Sequence, residues 1–244
     1  MTVESQLISV KLLRAFVKRS FQPLTVRGRY KRLSFPQVID GEHTKRVFDI
    51  LFSLAVLVFC SPLYLVLALL IALSSPGPIF YTQVRVGKNS KPFRCIKFRT
   101  MVHNADEMLE SMISESPHLC EEFEENFKLR NDPRITKIGK FLRLTSLDEF
   151  PQFWNVLQGD MSVVGPRPLV PEELSRYGRH ISKVLTVRPG ITGLWQVSGR
   201  NDIPYARRVQ MDVYYANSRY FLLDLWVMFK TCAVILFPHN KGAY

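Results

Sequence analysis

Several common kinds of site are missing from this sequence. Four cysteines, at 60, 95, 120 and 232, are too few and too scattered for a disulfide scaffold or a paired zinc site, so they read as thiols of a reducing compartment. There is no glycine-rich Walker loop, no dinucleotide fingerprint and no Ser/His/Asp set, which leaves the nucleotide-loop, Rossmann and serine-hydrolase chemistries without their residues. No internal repeat or low-complexity tract is present. Acid is also scarce: 21 Asp and Glu face 33 Lys and Arg, a formal charge of +12. That excess favours polyanionic partners such as nucleic acid, anionic lipid or phosphorylated substrates, and does not choose among them. With 244 residues the chain suits one catalytic unit and a membrane segment better than two full domains.

What the chain does have is one long apolar run. The 24 residues from Ile50 to Leu73 carry no charge, and at ~1.5 Å per residue their helix is roughly 36 Å long, against a bilayer core of about 30 Å. Ser61-Pro62 interrupts it near the middle, where proline lacks the helical donor and clashes with the preceding turn. Each half, at ~18 Å, enters a bilayer without crossing it. Two readings stand: a proline-kinked span, or a re-entrant hairpin returning to its own side. The flanks favour the hairpin, because residues 1–46 hold ten Lys/Arg against three acids and residues 85–99 hold six Lys/Arg and no acid. Both flanks resist export. Ahead of the run, Ile8, Leu12, Leu13, Phe16 and Val17 alternate with Lys11, Arg14, Lys18 and Arg19 in the pattern of a basic helix lying among headgroups; a disordered basic tail reads the same way.

Downstream, Ser74-Ser75-Pro76-Gly77-Pro78 breaks the helix. Ile79 to Val86 and Phe93 to Thr100 are β-prone, and the turn-rich 87–92 between them predicts a β-hairpin with a basic edge. Residues 105–125 hold eight acids and no Lys or Arg; they read as solvated helix, the sharper alternative being a metal site. A second helical region is predicted from near Asp148 to Gly159. Pro189 to Asn201, with three glycines, reads as a loop whose backbone approaches a ligand. Tyr220 to Phe237, carrying Asp224 and Lys230, reads as a packed or interfacial helix.

Asp148-Glu149 is the candidate chemical centre. A phosphate docked at a helix start beside one carboxylate, with a second carboxylate holding Mg2+, would meet the needs of phosphoryl transfer. On spacing alone Ser146-Leu147-Asp148-Glu149 reads first as a capping box, in which Glu149 only returns a bond to Ser146, although Pro151 leaves the helical register open. Lys97, Arg99, Arg143, Arg167 and Arg200 are the candidate phosphate-binding residues, since guanidinium forks and ammonium groups suit phosphate oxygens. Each of them alone reads equally as surface charge.

Five ordered blocks carry a resemblance: Lys45-Arg46-Val47-Phe48-Asp49; Lys97-Phe98-Arg99-Thr100-Met101; Thr145 to Gln152; Gly159 to Pro168; and Arg188-Pro189-Gly190-Ile191-Thr192-Gly193 through Gly199-Arg200-Asn201. Together they resemble the bacterial sugar transferases, the monotopic polyprenyl-phosphate phosphoglycosyl transferases. The resemblance implies an α+β fold: a small membrane-associated catalytic domain of helices with a β-hairpin, and a re-entrant membrane helix broken at Ser61 and Pro62. It implies residues 1–44 as a basic extension, 45–76 as the membrane helix, 77–237 as the catalytic domain and 238–244 as a tail. It also implies that Asp148 attacks the β-phosphate of a UDP-sugar, releasing UMP, and that polyprenyl phosphate then takes the sugar-phosphate, with Glu149 associated with Mg2+. The setting implied is the cytoplasmic face of the bacterial inner membrane, with membrane lipid and a second copy of the chain as further partners and no nucleic acid. The rival reading is a membrane-tethered basic module that binds anionic lipid or nucleic acid and is indifferent to Asp148 and Glu149. No residue selects among sugars.

Overall fold

A computed structural model describes residues 41–126, 129 and 131–236, which fall within one unit, Gln37–Tyr244. The basic helix expected around Ile8 to Arg19 and the tail 238–244 lie outside the described residues.

The apolar run forms two helices, α1 (Glu42–Phe59) and α2 (Ser61–Ser74), bent by 62° at Cys60. Pro62 has no N–H for the carbonyl of Val58 four residues back, and the Ser61 hydroxyl donates to that oxygen at 2.8 Å instead. The Ser-Pro pair thus makes the bend and supplies the freed acceptor with a partner. No single helix among the described residues is long and apolar enough to cross a membrane, whereas α1 and α2 together meet that length and composition. Val47, Leu51, Leu54 and Val58 form an exposed stripe along α1, and Phe59, Leu65, Leu69 and Leu73 continue it past the bend. A soluble surface seldom carries so contiguous an apolar patch.

The predicted hairpin is present: β1 (Phe80–Val86) pairs antiparallel with β2 (Pro92–Phe98). The acidic stretch is helical as expected, broken before Pro117 into α3 (Ala105–Glu115) and α4 (Pro117–Asn126). α5 (Lys137–Thr145) is capped by Thr136, whose hydroxyl accepts from Gly139 N at 2.9 Å. A single 3-10 turn, Leu147–Glu149, follows, then α6 (Gln152–Gln158), closed by Gly159 in the left-handed region at φ 94°. The helix predicted from near Asp148 therefore starts later, after Pro151. A parallel pair of three-residue strands, β3 (Ser162–Val164) and β4 (Gly190–Thr192), was not predicted, because strands this short carry no periodicity. Beyond them come α7 (Leu174–Tyr177), α8 (Ile181–Val184), α9 (Leu194–Ser198), α10 (Tyr205–Ser218) and α11 (Phe221–Leu236). The predicted Pro189–Asn201 loop thus includes β4 and α9.

Three ties position these elements. Asn155 of α6 acts as a pseudo-strand against β2, accepting from Ile96 N at 3.0 Å and donating to Arg94 O at 2.8 Å. Arg46 of α1 donates to Val156 O and Leu157 O at 2.6 and 2.9 Å, placing a cation on the last carbonyls of α6, where the helix dipole favours one. Lys45 donates to Asp224 Oδ2 at 2.5 Å, while Tyr215 donates to Asp224 Oδ1 at 2.7 Å and Asp49 accepts from Val163 N at 3.1 Å. Asp224 is buried, so α11 packs through a paired charge, as a buried carboxylate requires.

A chain of rings crosses the inner face of the bend. Phe221, Phe48, Phe52, Phe153, Phe150, Tyr64, Phe98 and Phe80 follow one another with centroids 5.3 to 6.2 Å apart, within the range of favourable aromatic pairs. Leu67 and Ile71 of α2 join Phe98 and Leu142 in the adjoining core, with Leu147 and Phe150 packed against it.

Candidate active site

Asp148 and Glu149 occupy the 3-10 turn between α5 and α6. Ser146 ends α5 in the left-handed region at φ 59° and makes no side-chain cap bond to the turn that follows. The capping-box alternative is therefore not formed. Glu149 instead receives Lys97 Nζ on Oε1 at 2.6 Å, and the same ammonium lies 3.9 Å from Asp148 Oδ2. The turn is pinned to the apolar pair from below, since Tyr64 of α2 donates to Phe150 O at 2.6 Å. Two carboxylates thus sit where the hairpin and the turn between α5 and α6 meet the exposed apolar helices.

Asp148 is 9% exposed. Burial pushes its carboxyl up to about 6; the neighbouring Glu149 charge adds to the rise, while Lys97 and then Arg143 oppose it. An acid so tuned is ionised at neutral pH without being strongly stabilised as an anion, which suits a nucleophile. Arg143 donates through Nε to Thr100 Oγ1 at 3.0 Å and is held below the usual guanidinium range, mainly by burial and despite Asp148.

The other expected cations lie in three different settings. Arg200, itself at φ 51°, reaches Ser146 Oγ with Nη2 at 3.4 Å, bringing its loop to the residue ahead of the turn. Arg167 lies over the Trp195 ring at 5.9 Å. Arg99 is buried and donates to Ile71 O and Ser75 O at 3.2 and 2.6 Å, so its guanidinium serves the last carbonyls of α2. The structure brings Lys97 and Arg143 to the acid pair and Arg200 to Ser146, just ahead of its turn, sets Arg167 beside Trp195 and turns Arg99 to the C-terminal end of α2.

Sequence reasoning missed Arg85, Arg208, Trp195, Asp212 and Tyr64. Arg85 stood within the basic hairpin edge without being singled out. Tyr64 was the one hydroxyl-bearing ring inside the apolar run, a signal that deserved weight. Asp212, on α10, accepts from Tyr177 OH at 2.8 Å, and burial pushes its carboxyl up to about 7. Nothing in its helical surroundings marked it.

Among the described residues no group of three or more His, Cys, Asp or Glu is placed to hold a metal, the acidic α3 and α4 included. Mg2+ needs less than that: one or two carboxylates suffice when substrate phosphates and water complete its octahedron. Asp148 and Glu149 are adjacent hard-oxygen donors, and burial disfavours the Asp148 anion, a cost that a bound cation would offset. The residues fit such an ion. A shallow cleft at the foot of α1 is lined by Lys45, Asp49, Arg188 and Tyr215; it belongs to the ionic ties of the fold and does not include the acid pair.

The family model described as bacterial sugar transferase matches residues 41–238. The chain belongs to that family. This sugar transferase family member is 48% identical over 200 residues to the undecaprenyl-phosphate galactose phosphotransferase of Salmonella typhimurium, covering 82% of this chain and 41% of the relative. It is 44% identical over 204 residues to the exopolysaccharide production protein ExoY of Sinorhizobium fredii, covering 84% and 89%. To the UDP-glucose:undecaprenyl-phosphate glucose-1-phosphate transferase of Klebsiella pneumoniae it is 39% identical over 210 residues, covering 82% and 41%. The aligned part is thus less than half the length of the Salmonella and Klebsiella relatives.

Proposed function

We propose that this sugar transferase moves a sugar-1-phosphate from a UDP-sugar to undecaprenyl phosphate, releasing UMP, as a first membrane step of polysaccharide or glycoconjugate assembly. The observation that carries the reading is the buried Asp148 beside Glu149, Lys97 and Arg143, on a turn bonded to the bent apolar pair. The printed names of the relatives supply the substrate classes.

In the first half-reaction Asp148 Oδ attacks the β-phosphorus of the donor. An acyl-phosphate bond forms, the bridging P–O bond breaks, and UMP leaves with its electron pair. In the second, an oxygen of the acceptor phosphate attacks the same phosphorus and the Asp148 carboxylate departs, regenerating the enzyme. Bringing a carboxylate to an anionic phosphate needs neutralising charge, and Lys97 and Arg143 provide it without solvent reorganisation. Mg2+ bound through Glu149 would offset phosphate charge and orient the donor. Arg200 binds the donor from the loop it shares with Gly199.

The exposed stripe on α1 and α2 enters the lipid, with both ends of the pair on the cytoplasmic side of the inner membrane, because a 62° bend at Cys60 gives a re-entrant path and both flanks are basic. Tyr64 then ties the reactive turn to lipid depth, where a soluble nucleotide and a membrane-anchored acceptor meet. A purely basic anchoring module would give no reason for cations to converge on a buried acid pair.

The purified chain in nanodiscs, supplied with Mg2+, undecaprenyl phosphate and a panel of UDP-sugars, is expected to release UMP with at least one sugar and to trap labelled phosphosugar when the acceptor is left out. Asp148→Asn is expected to abolish both. Turnover unchanged in that variant removes Asp148 as nucleophile. A tag at residue 2 is expected to be reached only from the cytoplasmic side; labelling from outside rules out the re-entrant path.

A further inference from the structure

Three guanidinia gather on the far side of the hairpin from the apolar pair. Arg85 of β1 is buried; it donates through Nη1 to Pro168 O at 3.0 Å, next to Arg167, and through Nη2 to Gln83 Oε1 at 2.6 Å, while its Nε has no partner. The contact is fixed by backbone, because Val86 N bonds to Leu169 O at 2.9 Å. Arg167 lies against the Trp195 ring, 5.9 Å from its Cζ, and its charge faces the buried Asp212. Arg208, on α10, lies over the same ring at 5.0 Å and donates to Ile203 O at 2.8 Å. Arg85 and Arg208 are each held below the usual guanidinium range, first by burial and then by the charge of Arg167. Glu173 Oε2, 3.9 Å from Arg85, and the buried Asp212 are the acids that face this group. Like charges collected around a buried guanidinium N–H that has no partner, that of Arg85, are costly unless an anion offsets them.

We propose that Arg85, Arg167 and Arg208, braced by Trp195, form one cradle for the nucleoside-side phosphate of the donor, and so hold UMP as it leaves. This rests on the transferase reading above and assigns it two binding residues, Arg85 and Arg208. Placement favours the soluble donor over the lipid acceptor. Phe80, at the start of β1, stacks on Phe98 beside Tyr64 and the apolar pair, and Arg85 is five residues further along the strand, about 16 Å at ~3.3 Å per residue. Arg85 pairs with Phe93 across the hairpin and so shares a face with Lys97, four residues along β2, whose ammonium holds Glu149; a donor whose other phosphate is on Asp148 would lie along that face. Forked donors on a phosphate give directional, charge-assisted bonds that a lysine reproduces only in part.

The test uses the full chain in nanodiscs and measures UMP and uridine binding by calorimetry together with KM for both substrates. Arg208→Gln and Arg85→Gln are each expected to weaken UMP binding about tenfold, to leave uridine binding and KM for undecaprenyl phosphate unchanged, and to raise KM for the UDP-sugar. Arg208→Lys, which keeps charge and helix packing, is expected to recover part of the loss. UMP affinity within twofold of the parent in both Gln variants overturns the cradle, as does a rise in the undecaprenyl-phosphate KM alone, which would give the site to the acceptor. A parent protein that releases UMP while the variants bind it normally fails the cradle and spares the transferase reading; a parent that neither binds nor releases UMP fails both.

Discussion

Replacing Asp148 with asparagine should make the protein more stable while it destroys activity. The carboxyl is moved from 3.8 to about 6, burial being the largest cause. At about 1.4 kcal/mol per tenfold change in proton affinity, keeping it ionised in the folded state costs about 3 kcal/mol. The sign follows from proton counting: between these two values the folded chain holds the proton that the unfolded chain has released, so stability falls as pH rises through the window. The penalty is absent below 3.8 and complete above about 6. Asparagine carries no such penalty, and the attraction of Lys97 and Arg143 for the anion is already included in the net shift. Thermal unfolding in nanodiscs at pH 8 is therefore expected to show Asp148→Asn melting about 6–12 °C above the parent, at ~2–4 °C per kcal/mol for a chain of this size, with the difference vanishing near pH 4. A variant that melts below the parent at pH 8, or whose advantage is the same at both pH values, refutes the argument that burial strains this carboxylate.

Three further perturbations test the framework around it. Lys45→Met leaves the buried Asp224 without its cation and is expected to cost about 3 kcal/mol or more, read as a lower melting temperature; an unchanged melt shows that Tyr215 alone satisfies that acid. Gly139→Ala would place a Cβ 1.9 Å from Thr100 O, a backbone atom that cannot step aside, so about 2 kcal/mol or more of stability is expected to be lost together with the Arg143 to Thr100 contact; wild-type melting and activity would mean that the two segments separate freely. Pro62→Leu restores the donor to Val58 O and is expected to straighten the pair, so that spin labels on α1 and α2 move apart and the residue-2 tag changes side in part of the population. Label distances that do not change would show that packing, not proline, sets the bend.

Much of this layout was legible because it obeys local rules. The bend followed from Ser61-Pro62, the hairpin from β-branched runs around a turn, the end of α6 from Gly159, and the packed nature of α11 from Asp224 and Lys230 inside an apolar run. The acid pair was visible as residues but not as geometry: Ser146 looks like an N-cap in sequence and is a left-handed C-cap in space, because Pro151 postpones the next helix. Arg99 illustrates the opposite difficulty. Its motif neighbours are those of Lys97, two positions earlier, yet Lys97 within β2 meets Glu149 while Arg99, just past the strand, closes α2, and only tertiary packing separates the two. β3 and β4 are too short for any pattern, and the Arg85, Arg167 and Arg208 group comes from three distant segments.

The bond between Lys45 and Asp224 joins positions 179 residues apart. During synthesis at roughly 5–20 residues per second, the first helix emerges about 9–36 s before the partner that will neutralise it. Through that interval Lys45 has only its neighbour Asp49, one turn along the same helix at 4.0 Å, so on the reading proposed above the bent pair would have time to settle into lipid before the rest of the chain packs against it. Under that reading α11 would be a late arrival, and chains truncated within it would leave Lys45 without the carboxylate that ties α1 to the rest of the fold.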